Sequence, residues 1–159
     1  MLLRIMLLRG SIIACMIAIA GCEEASQSET RSLKDILNQN TERVVRNFDP
    51  VQVQRGEIVF QENCENCHGK KAAGTTDWRK PGADGRFPPP PLNGTAHAWH
   101  HSTAVLKKTI LKGGPPEFST MPAWENKLTE QQVDDVVVWI KSLWPDEIYA
   151  TWYQNFEDK

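Results

Sequence analysis

This sequence of 159 residues lacks an apolar run long enough to cross a bilayer as a helix. Its uncharged run from Gly10 to Gly21 is well short of the about 20 apolar residues that a transmembrane helix needs. It also lacks a strong excess of either charge, since its net charge is -2 and its mean hydropathy is -0.46. These values exclude a membrane-embedded protein and a strongly nucleic-acid-binding one, and they fit one globular domain with a modest core.

Cysteine is scarce, and no segment alternates apolar and polar residues convincingly as a strand would. The four cysteines, at positions 15, 22, 64 and 67, fall into an N-terminal pair and a central pair. Neither pair resembles a disulfide framework. The two pairs therefore predict two different kinds of chemistry.

Of the N-terminal pair, Cys15 lies inside a predicted export signal and Cys22 follows it directly. Arg4 and Arg9 precede the uncharged run, which has the length of a signal's apolar core, so residues 1–21 are excluded from the fold. The small residues before Cys22 make this segment resemble the lipobox of bacterial lipoproteins. That resemblance implies diacylglycerol on Cys22 and a lipid anchor on the periplasmic side of a bacterial membrane, and Glu23 favours the outer membrane. The alternative is an ordinary secretory signal.

Residues 22–48 are predicted to form a tether. Loss of residues 1–21 leaves 16 basic and 20 acidic residues, a net charge of -4. The tether's first ten residues are polar and predict a flexible segment. Apolar residues with helical spacing follow, which indicates a short docking helix or a weakly ordered stalk; they are Leu33, Ile36, Leu37, Val44, Val45 and Phe48.

The central pair lies in the pentapeptide Cys64-Glu65-Asn66-Cys67-His68. Two thiols three residues apart on a helical turn can each bond one vinyl group of a haem, while His68 supplies an axial ligand. A thioredoxin-like redox pair would need a βαβ pattern, and a zinc site would need two more ligands; neither is visible. The motif therefore predicts one covalently bound haem c.

Three helices surround this motif in the sequence. Asp49 is an N-cap with Pro50 at the first helical position, and the helix leads into the motif. A shorter helix is predicted over residues 102–112, and a last one from the capping box at Thr129 to residue 144, before Pro145. The chain is therefore predicted to be all-α.

Residues 50–144 resemble a class I monohaem c-type cytochrome, which sets the predicted domain at 49–144. The resemblance implies three to five helices wrapped around one covalently bound haem. Within it, Gly56 lets the first helix approach the last one closely, and Phe60 packs against Val136 and Trp139.

The same resemblance assigns the segment Pro90-Pro91-Leu92-Asn93-Gly94 to the haem pocket. By this match, the carbonyl of Pro90 accepts the second ring proton of His68, and Leu92 touches the haem. Such a bond would set the histidine tautomer and raise its basicity toward iron.

Met121-Pro122 resembles the segment that carries the sixth iron ligand in this family. Met121 is the one methionine beyond the signal, so it is the candidate if a thioether binds the iron; a histidine is the competitor. Trp124 is interpreted as a wall of the haem pocket.

His97, His100 and His101 form the main rival feature. Two of these imidazoles could bind copper or zinc, or one could replace Met121 on the iron. The alternatives are that they line the loop before residue 102 or bond a haem propionate.

Two further segments bear on partners. Residues 145–159 form an aromatic extension in which Tyr149, Trp152, Tyr153 and Phe156 share a helical face, to be covered by the body of the protein or by a partner. Residues 68–112 carry eight basic and two acidic side chains inside an acidic protein. Such a segment predicts either a docking face for acidic redox partners or ordinary solvated charges.

Together these features predict an electron carrier rather than an enzyme: a membrane-tethered monohaem cytochrome that relays single electrons between redox partners, without nucleic acid. With His68 and Met121 on the iron, both axial positions are filled, which disfavours activation of small molecules. The alternatives are the haem subunit of a periplasmic oxidoreductase and a haem-based sensor in which Met121 is labile.

Overall fold

The computed structural model describes residues 44–157, and helices make up its regular structure. This part contains α1 (Pro50–Asn63), α2 (Glu65–His68), α3 (Thr103–Lys112), α4 (Glu130–Ser142) and α5 (Asp146–Trp152), with 3-10 turns at Lys70–Ala72 and His97–His100 and a π-helical turn at Tyr153–Glu157. Across 44–157 there is no strand, and one isolated bridge joins Phe87 to Ser119. The all-α prediction agrees with this architecture.

Helix starts lie where the sequence predicts them. The Asp49 carboxylate accepts the Val51 N–H at 2.9 Å, with Pro50 in the first turn of α1. At the start of α4, Thr129 and Gln132 form the reciprocal capping box, with N–H to side-chain oxygen distances of 2.9 and 3.2 Å. These local bonds satisfy N–H groups that have no partner within the helix.

The last predicted helix ends earlier than expected. It was predicted to reach residue 144, but α4 ends at Ser142. The N–H groups of Leu143 and Trp144 bond the carbonyls three residues back, each at 3.2 Å, so the helix tightens at its end. Pro145 explains this, because a proline disfavours the helical conformation of the residue before it.

The core forms where α1 crosses α4. A Cβ built on Gly56 would lie 2.0 Å from the Asp135 carbonyl oxygen, so only glycine allows this approach. One turn further along α1, the ring of Phe60 packs against Trp139 with centroids 4.4 Å apart. Both side chains are buried, together with Val136, so the predicted packing between the first and last helices is present.

An ion pair joins the same two helices beside the crossing. Arg55 Nε and Nη2 donate to the two carboxylate oxygens of Asp135 at 2.7 and 3.1 Å. The Asp135 side chain is only 3% exposed, and the hydrogen bonds from Arg55 hold its pKa below the ordinary value. This bidentate pair fixes the rotation of α1 against α4.

The aromatic extension packs against the body of the protein. Trp152 is 1% exposed, and its Nε1–H donates to the His101 carbonyl at 2.9 Å. The Tyr149 ring meets the edge of Phe48, with centroids 5.4 Å apart. Tyr153 stays partly open to solvent. Most of the predicted aromatic face is thus covered by this chain itself.

Of the predicted tether, residues 22–48, the structure describes only residues 44–48. Residues 44–49 form no helix, and the rest of the predicted stripe from Leu33, like the signal at 1–21, lies outside the described residues. Phe48 instead contributes a single aromatic contact to the extension. Within residues 44–157, no helix is both long and apolar enough to span a membrane.

We predict that Gly56→Ala lowers the free energy of unfolding of the haem-loaded protein by about 1–3 kcal/mol, because the added methyl must push α1 away from α4. Urea titration followed by circular dichroism measures this loss. Gln54→Ala, at an exposed position of the same helix, is the control. Equal stability of the two variants would contradict the close crossing.

Candidate functional site

The two central cysteines lie at the break that ends α1. The Cys64 N–H still bonds the Phe60 carbonyl at 2.8 Å, but its φ of -119° interrupts the helix. The carbonyl of Cys64 then accepts the N–H groups of Cys67 and His68 at 3.1 and 2.9 Å, which begins α2. Both thiols are free; Cys64 is half-buried, and Cys67 is exposed. Two free thiols on one turn fit attachment to a single flat ligand.

His68 is buried next to these thiols, with 9% of its surface exposed. Its Nδ1 lies 3.1 Å from the carbonyl oxygen of Pro90. Because a carbonyl oxygen can only accept, Nδ1 carries the hydrogen and Nε2 keeps its lone pair. Burial lowers the pKa of His68, against the opposing effect of the Pro90 bond. The ring is thereby held neutral with one nitrogen ready to bind a metal.

Burial also keeps Cys64 protonated. It raises the pKa of the Cys64 thiol to about 11, with a smaller contribution from Cys67. Together, two free thiols and a neutral imidazole with its Nδ1 satisfied fit a haem c, in which thioethers hold the porphyrin and histidine binds the iron.

A tight turn after His68 supports the proline-rich segment. The carbonyl of His68 accepts the Gly74 N–H at 2.6 Å, and the carbonyl of Ala72 accepts the Leu92 N–H at 2.8 Å. Lys71 and Ala72 have φ values of 53° and 56°, which costs non-glycine residues energy that the surrounding contacts must offset. No feature of the sequence predicted this left-handed turn.

Leu92 is held from the other side by the end of α4. The indole Nε1–H of Trp144, a side chain only 2% exposed, donates to the Leu92 carbonyl at 2.8 Å. Leu92 itself is half-buried against the core. The structure thus brings Cys64, Cys67, His68 and the segment from Pro90 to Leu92 into one hydrogen-bonded group.

Met121 belongs to a second group, in the loop after α3. Its N–H donates to Ser119 Oγ and its carbonyl accepts the Gly114 N–H, both at 3.1 Å. Gly113 has a φ of 78°, and a Cβ there would lie 2.7 Å from the Met121 carbonyl oxygen. The glycine pair that was predicted to stop α3 therefore also accommodates the methionine.

Trp124, three residues after Met121, belongs to the same hydrogen-bonded group. Its N–H bonds the carbonyls of Ile110 and Leu111 at the end of α3, at 3.2 and 3.1 Å. The side chain is half-buried, and Lys127 Nζ lies 5.1 Å from the centre of its ring. Trp124 therefore anchors the methionine loop to α3 through its backbone.

The three histidines are exposed and lie on or beside one 3-10 turn. The rings of His97 and His101 meet edge to face with centroids 6.1 Å apart, and His97 also packs near Trp78 at 5.5 Å. His100 contacts Trp99, with centroids 3.9 Å apart. Residues 44–157 hold no group of three or more His, Cys, Asp or Glu side chains arranged for a metal ion. These histidines therefore act here as packing partners of neighbouring aromatic rings.

Fewer basic side chains of residues 68–112 are available to a partner than the net charge of this segment indicates. Half of its basic side chains form ion pairs, which are Lys80 with Asp77, Arg86 with Asp84, Lys107 with Asp134 and Lys112 with Glu125. Arg79 lies over the Trp78 ring at 4.1 Å. In the described part of the chain, no ion pair involves Lys70 or Lys71, which follow the haem motif after Gly69.

Cys22, the predicted lipidation site, lies outside the described residues, as does the signal before it. Its modification stays a prediction. The assignment of His68 and Met121 as iron ligands also stays a prediction, although the structure supplies the local geometry of both segments.

Residues 51–140 match the protein family described as Cytochrome C oxidase, cbb3-type, subunit III. Curated relatives include the Cbb3-type cytochrome c oxidase subunit CcoP of Azospirillum sp. (strain B510), 29% identical over 114 residues, or 69% of this chain and 36% of the relative. They also include the FixP subunit of such an oxidase in Sinorhizobium medicae (strain WSM419), 26% identical over 127 residues, or 75% of this chain and 40% of the relative.

The FixP subunit of Bradyrhizobium diazoefficiens is 31% identical over 91 residues, which are 56% of this chain and 27% of that relative. The chain therefore spans roughly a third of the length of the curated relatives it matches. No solved structure matches the chain.

These matches confirm three predictions: a monohaem c-type cytochrome domain, its all-α class I fold, and one haem c as cofactor. The predicted function is confirmed only in its general form, electron transfer through a haem c, and the relay between particular partners stays a prediction. The family assignment agrees with the site, because the free thiols and the buried imidazole are the groups that haem c requires.

The predicted location is wrong. The curated relatives are subunits of cbb3-type cytochrome c oxidases, and this finding overturns the predicted lipid-anchored location with its preference for the outer membrane. That prediction depended on Glu23 following Cys22, a sorting feature outside the haem domain. A residue in a processing segment carries no information on the complex that the folded domain joins.

We predict that Trp144→Phe lowers the free energy of unfolding by about 1–3 kcal/mol, because it leaves the carbonyl of the half-buried Leu92 without its donor. Urea titration of the haem-loaded protein measures the loss. Trp78→Phe, at a half-buried position with no recorded indole hydrogen bond, is the matched control. If both variants lose the same stability, the bond to Leu92 does not support the proline-rich segment.

Proposed function

Because the chain belongs to the family of subunit III of the cbb3-type cytochrome c oxidases, we propose that it relays single electrons through one haem c to an oxidase of this type. The relatives' names support this proposal, since each is a subunit of such an oxidase. In this role the chain is an electron-transfer subunit and not itself an enzyme. The observation that carries the proposal is the turn of two free thiols beside a buried, neutral histidine.

The haem would be held by Cys64 and Cys67 through thioethers and by His68 through Nε2. When bound, it supplies one iron that accepts and releases a single electron. The protein's own contribution begins with Cys64 and the short helix α2 that follows it, which carry all three groups on a single segment. The three groups are therefore positioned relative to one another by local backbone hydrogen bonds.

Pro90 orients the histidine. Its carbonyl accepts the Nδ1–H of His68 at 3.1 Å, which directs Nε2 away from the proline-rich segment. Because Nδ1 donates its hydrogen to this carbonyl, Nε2 becomes a stronger electron donor toward a metal. Burial of His68 excludes water that would otherwise compete for this bond.

Met121 would provide the second axial ligand. Both of its backbone polar groups are bonded within its loop, so its backbone position is fixed by Gly114 and Ser119. With both His68 and the Met121 thioether as ligands, the iron would have a higher reduction potential and no position free for a small molecule. These properties suit an electron relay rather than activation of a small molecule.

The partner face is proposed to lie at Lys70 and Lys71. Both are exposed, and they follow His68 after one intervening glycine. Among the described residues neither forms an ion pair, although Glu57 and Glu65 line the same surface cleft. Two neighbouring positive charges beside a redox centre attract an acidic partner and raise the rate at which it associates. The docking partner is thus proposed to be an acidic surface of another oxidase subunit or electron donor.

We predict that Met121→Ala lowers the midpoint potential by about 0.1–0.3 V, a fraction of the range of about 0.8 V that axial ligands control. The ferrous variant also binds carbon monoxide rapidly, and the far-red ferric band of a thioether ligand disappears. Redox titration and optical spectra measure these changes, with Phe118→Ala, at an exposed position nearby, as the control.

Rapid carbon monoxide binding by the unmodified protein would contradict the relay and favour a sensor in which Met121 is labile. An unchanged spectrum in Met121→Ala would instead identify another sixth ligand, with the three exposed histidines as the next candidates.

We predict that Lys70→Glu/Lys71→Glu slows oxidation of the reduced protein by membranes containing a cbb3-type oxidase by about tenfold at low ionic strength. The difference disappears near 1 M salt, where the Debye length is about 3 Å. Stopped-flow absorbance of the haem measures both rates. Lys127→Glu, an exposed lysine outside residues 68–112, is the control.

The unmodified protein tests the oxidase proposal in the same assay. Its haem is oxidised by air when active oxidase membranes are present, and stays reduced when the oxidase is inhibited by cyanide. Haem oxidation at the same rate with active and with inhibited oxidase would contradict the proposed partner. An oxidation rate unchanged by charge reversal would contradict only the proposed docking face.

A further inference from the structure

One short segment, residues 87–90, contacts both groups of the candidate site. At its end, the Pro90 carbonyl accepts the His68 Nδ1–H at 3.1 Å. At its start, the Phe87 N–H donates to the Phe118 carbonyl at 2.8 Å, as part of the isolated bridge between Phe87 and Ser119. Phe118 lies three residues before Met121. The segment therefore links the histidine to the methionine loop.

This segment is stiff. Residues 88, 89 and 90 are all proline, so each φ is locked near -65°, and each proline that precedes another is pushed toward an extended conformation. Such a chain advances about 3.1 Å per residue, so three steps span about 9 Å. The segment is also fixed in place, because the N–H and Oγ1 of Thr75 both donate to the Pro89 carbonyl at 3.1 Å.

The other end of the link belongs to the same hydrogen-bonded unit as Met121. The N–H groups of Phe118 and Ser119 bond the Pro115 carbonyl at 3.0 and 2.8 Å, which closes a turn. Ser119 Oγ then accepts the Met121 N–H. A shift of the Phe118 carbonyl would therefore be transmitted to Met121 through a turn and one further bond.

The link depends on backbone atoms rather than on the aromatic rings. Phe87 and Phe118 are 43% and 62% exposed, so their side chains add little packing to the contact. Within residues 44–157, the Phe87 N–H bond is the one recorded hydrogen bond between the loop of residues 75–90 and the methionine loop of residues 113–121. The Phe87 N–H is thus the short, well-aligned donor between the two loops, within the bridge to Ser119.

We propose that residues 87–90 form a proline strut that positions the Met121 loop relative to His68, with the Phe87 N–H as the positioning group that retains Met121 on the iron. The inference rests on the proposed function in one respect, namely that Met121 is the sixth ligand. Release of the methionine requires its loop to move outward. The strut opposes this movement because its far end is fixed at Thr75 and His68.

Phe87→Pro tests the strut, because proline has no N–H to donate. Loss of one hydrogen bond worth about 1 kcal/mol raises the population of the methionine-released form about fivefold. Carbon monoxide binds the ferrous protein only through this form, so its second-order binding rate rises about fivefold as well. Flash photolysis measures the rate on the haem-loaded protein, and the far-red ferric band reports the thioether independently.

Ala83→Pro is the matched control. It adds a proline to the same loop at the second position of the turn closed by the Gly85 N–H and the Gly82 carbonyl, where proline is favoured. The Ala83 N–H has no recorded partner in the described structure, so no bond is lost. We expect its carbon monoxide rate to stay within a factor of two of the unmodified protein.

Pro88→Gly/Pro89→Gly keeps the Phe87 donor but removes the stiffness, and it also raises the carbon monoxide rate several-fold if the strut acts. This second variant decides the question if Phe87→Pro does not load haem. The strut is refuted if the variants that load haem bind carbon monoxide no faster than Ala83→Pro. Failure of the ligand assignment is distinguishable, because the unmodified protein would then lack the far-red band and Met121→Ala would change nothing.

Discussion

The close crossing of α1 over α4 at Gly56 is the constraint on which the rest of the structure depends. The helix backbones approach until no Cβ fits between position 56 and the Asp135 carbonyl. Phe60 then meets Trp139 one turn further along α1, and the next turn carries Cys64. A larger residue at the crossing would tilt α1 and displace the thiols and histidine at its end. The geometry of the haem-binding turn is therefore set by a contact made two turns earlier.

The two halves of the site differ in how they are held. His68 follows a long helix that is packed on α4, whereas Met121 lies in a loop positioned by Gly113, Gly114 and Ser119. Helices packed into a core open rarely, and loops held by few hydrogen bonds open more easily. The methionine side is thus held mainly by hydrogen bonds within its loop, and residues 87–90 connect it to the half that is packed as helices.

Local patterns in the sequence predicted most of the elements. The Cys64–His68 motif, the caps at Asp49 and Thr129 and the stop after residue 112 all depend on residues within four positions of one another. The end of α4 was predicted two residues too late, because the effect of Pro145 reaches back to the residues before it. The left-handed turn at Lys71 and Ala72 had no signal, because neither residue favours positive φ.

By itself, the sequence determined the cofactor and the fold class, because thiol spacing, capping and helical periodicity are all local along the chain. It also predicted the residues that attach the haem, and that assignment stays a prediction. Only the tertiary structure decided that Arg55 pairs with Asp135, 80 positions away, and that the aromatic extension packs on the body through Trp152 and His101. Likewise, only the fold brought Phe87 to Phe118. Contacts between distant residues depend on how whole helices and loops pack, and local spacing carries no record of that packing.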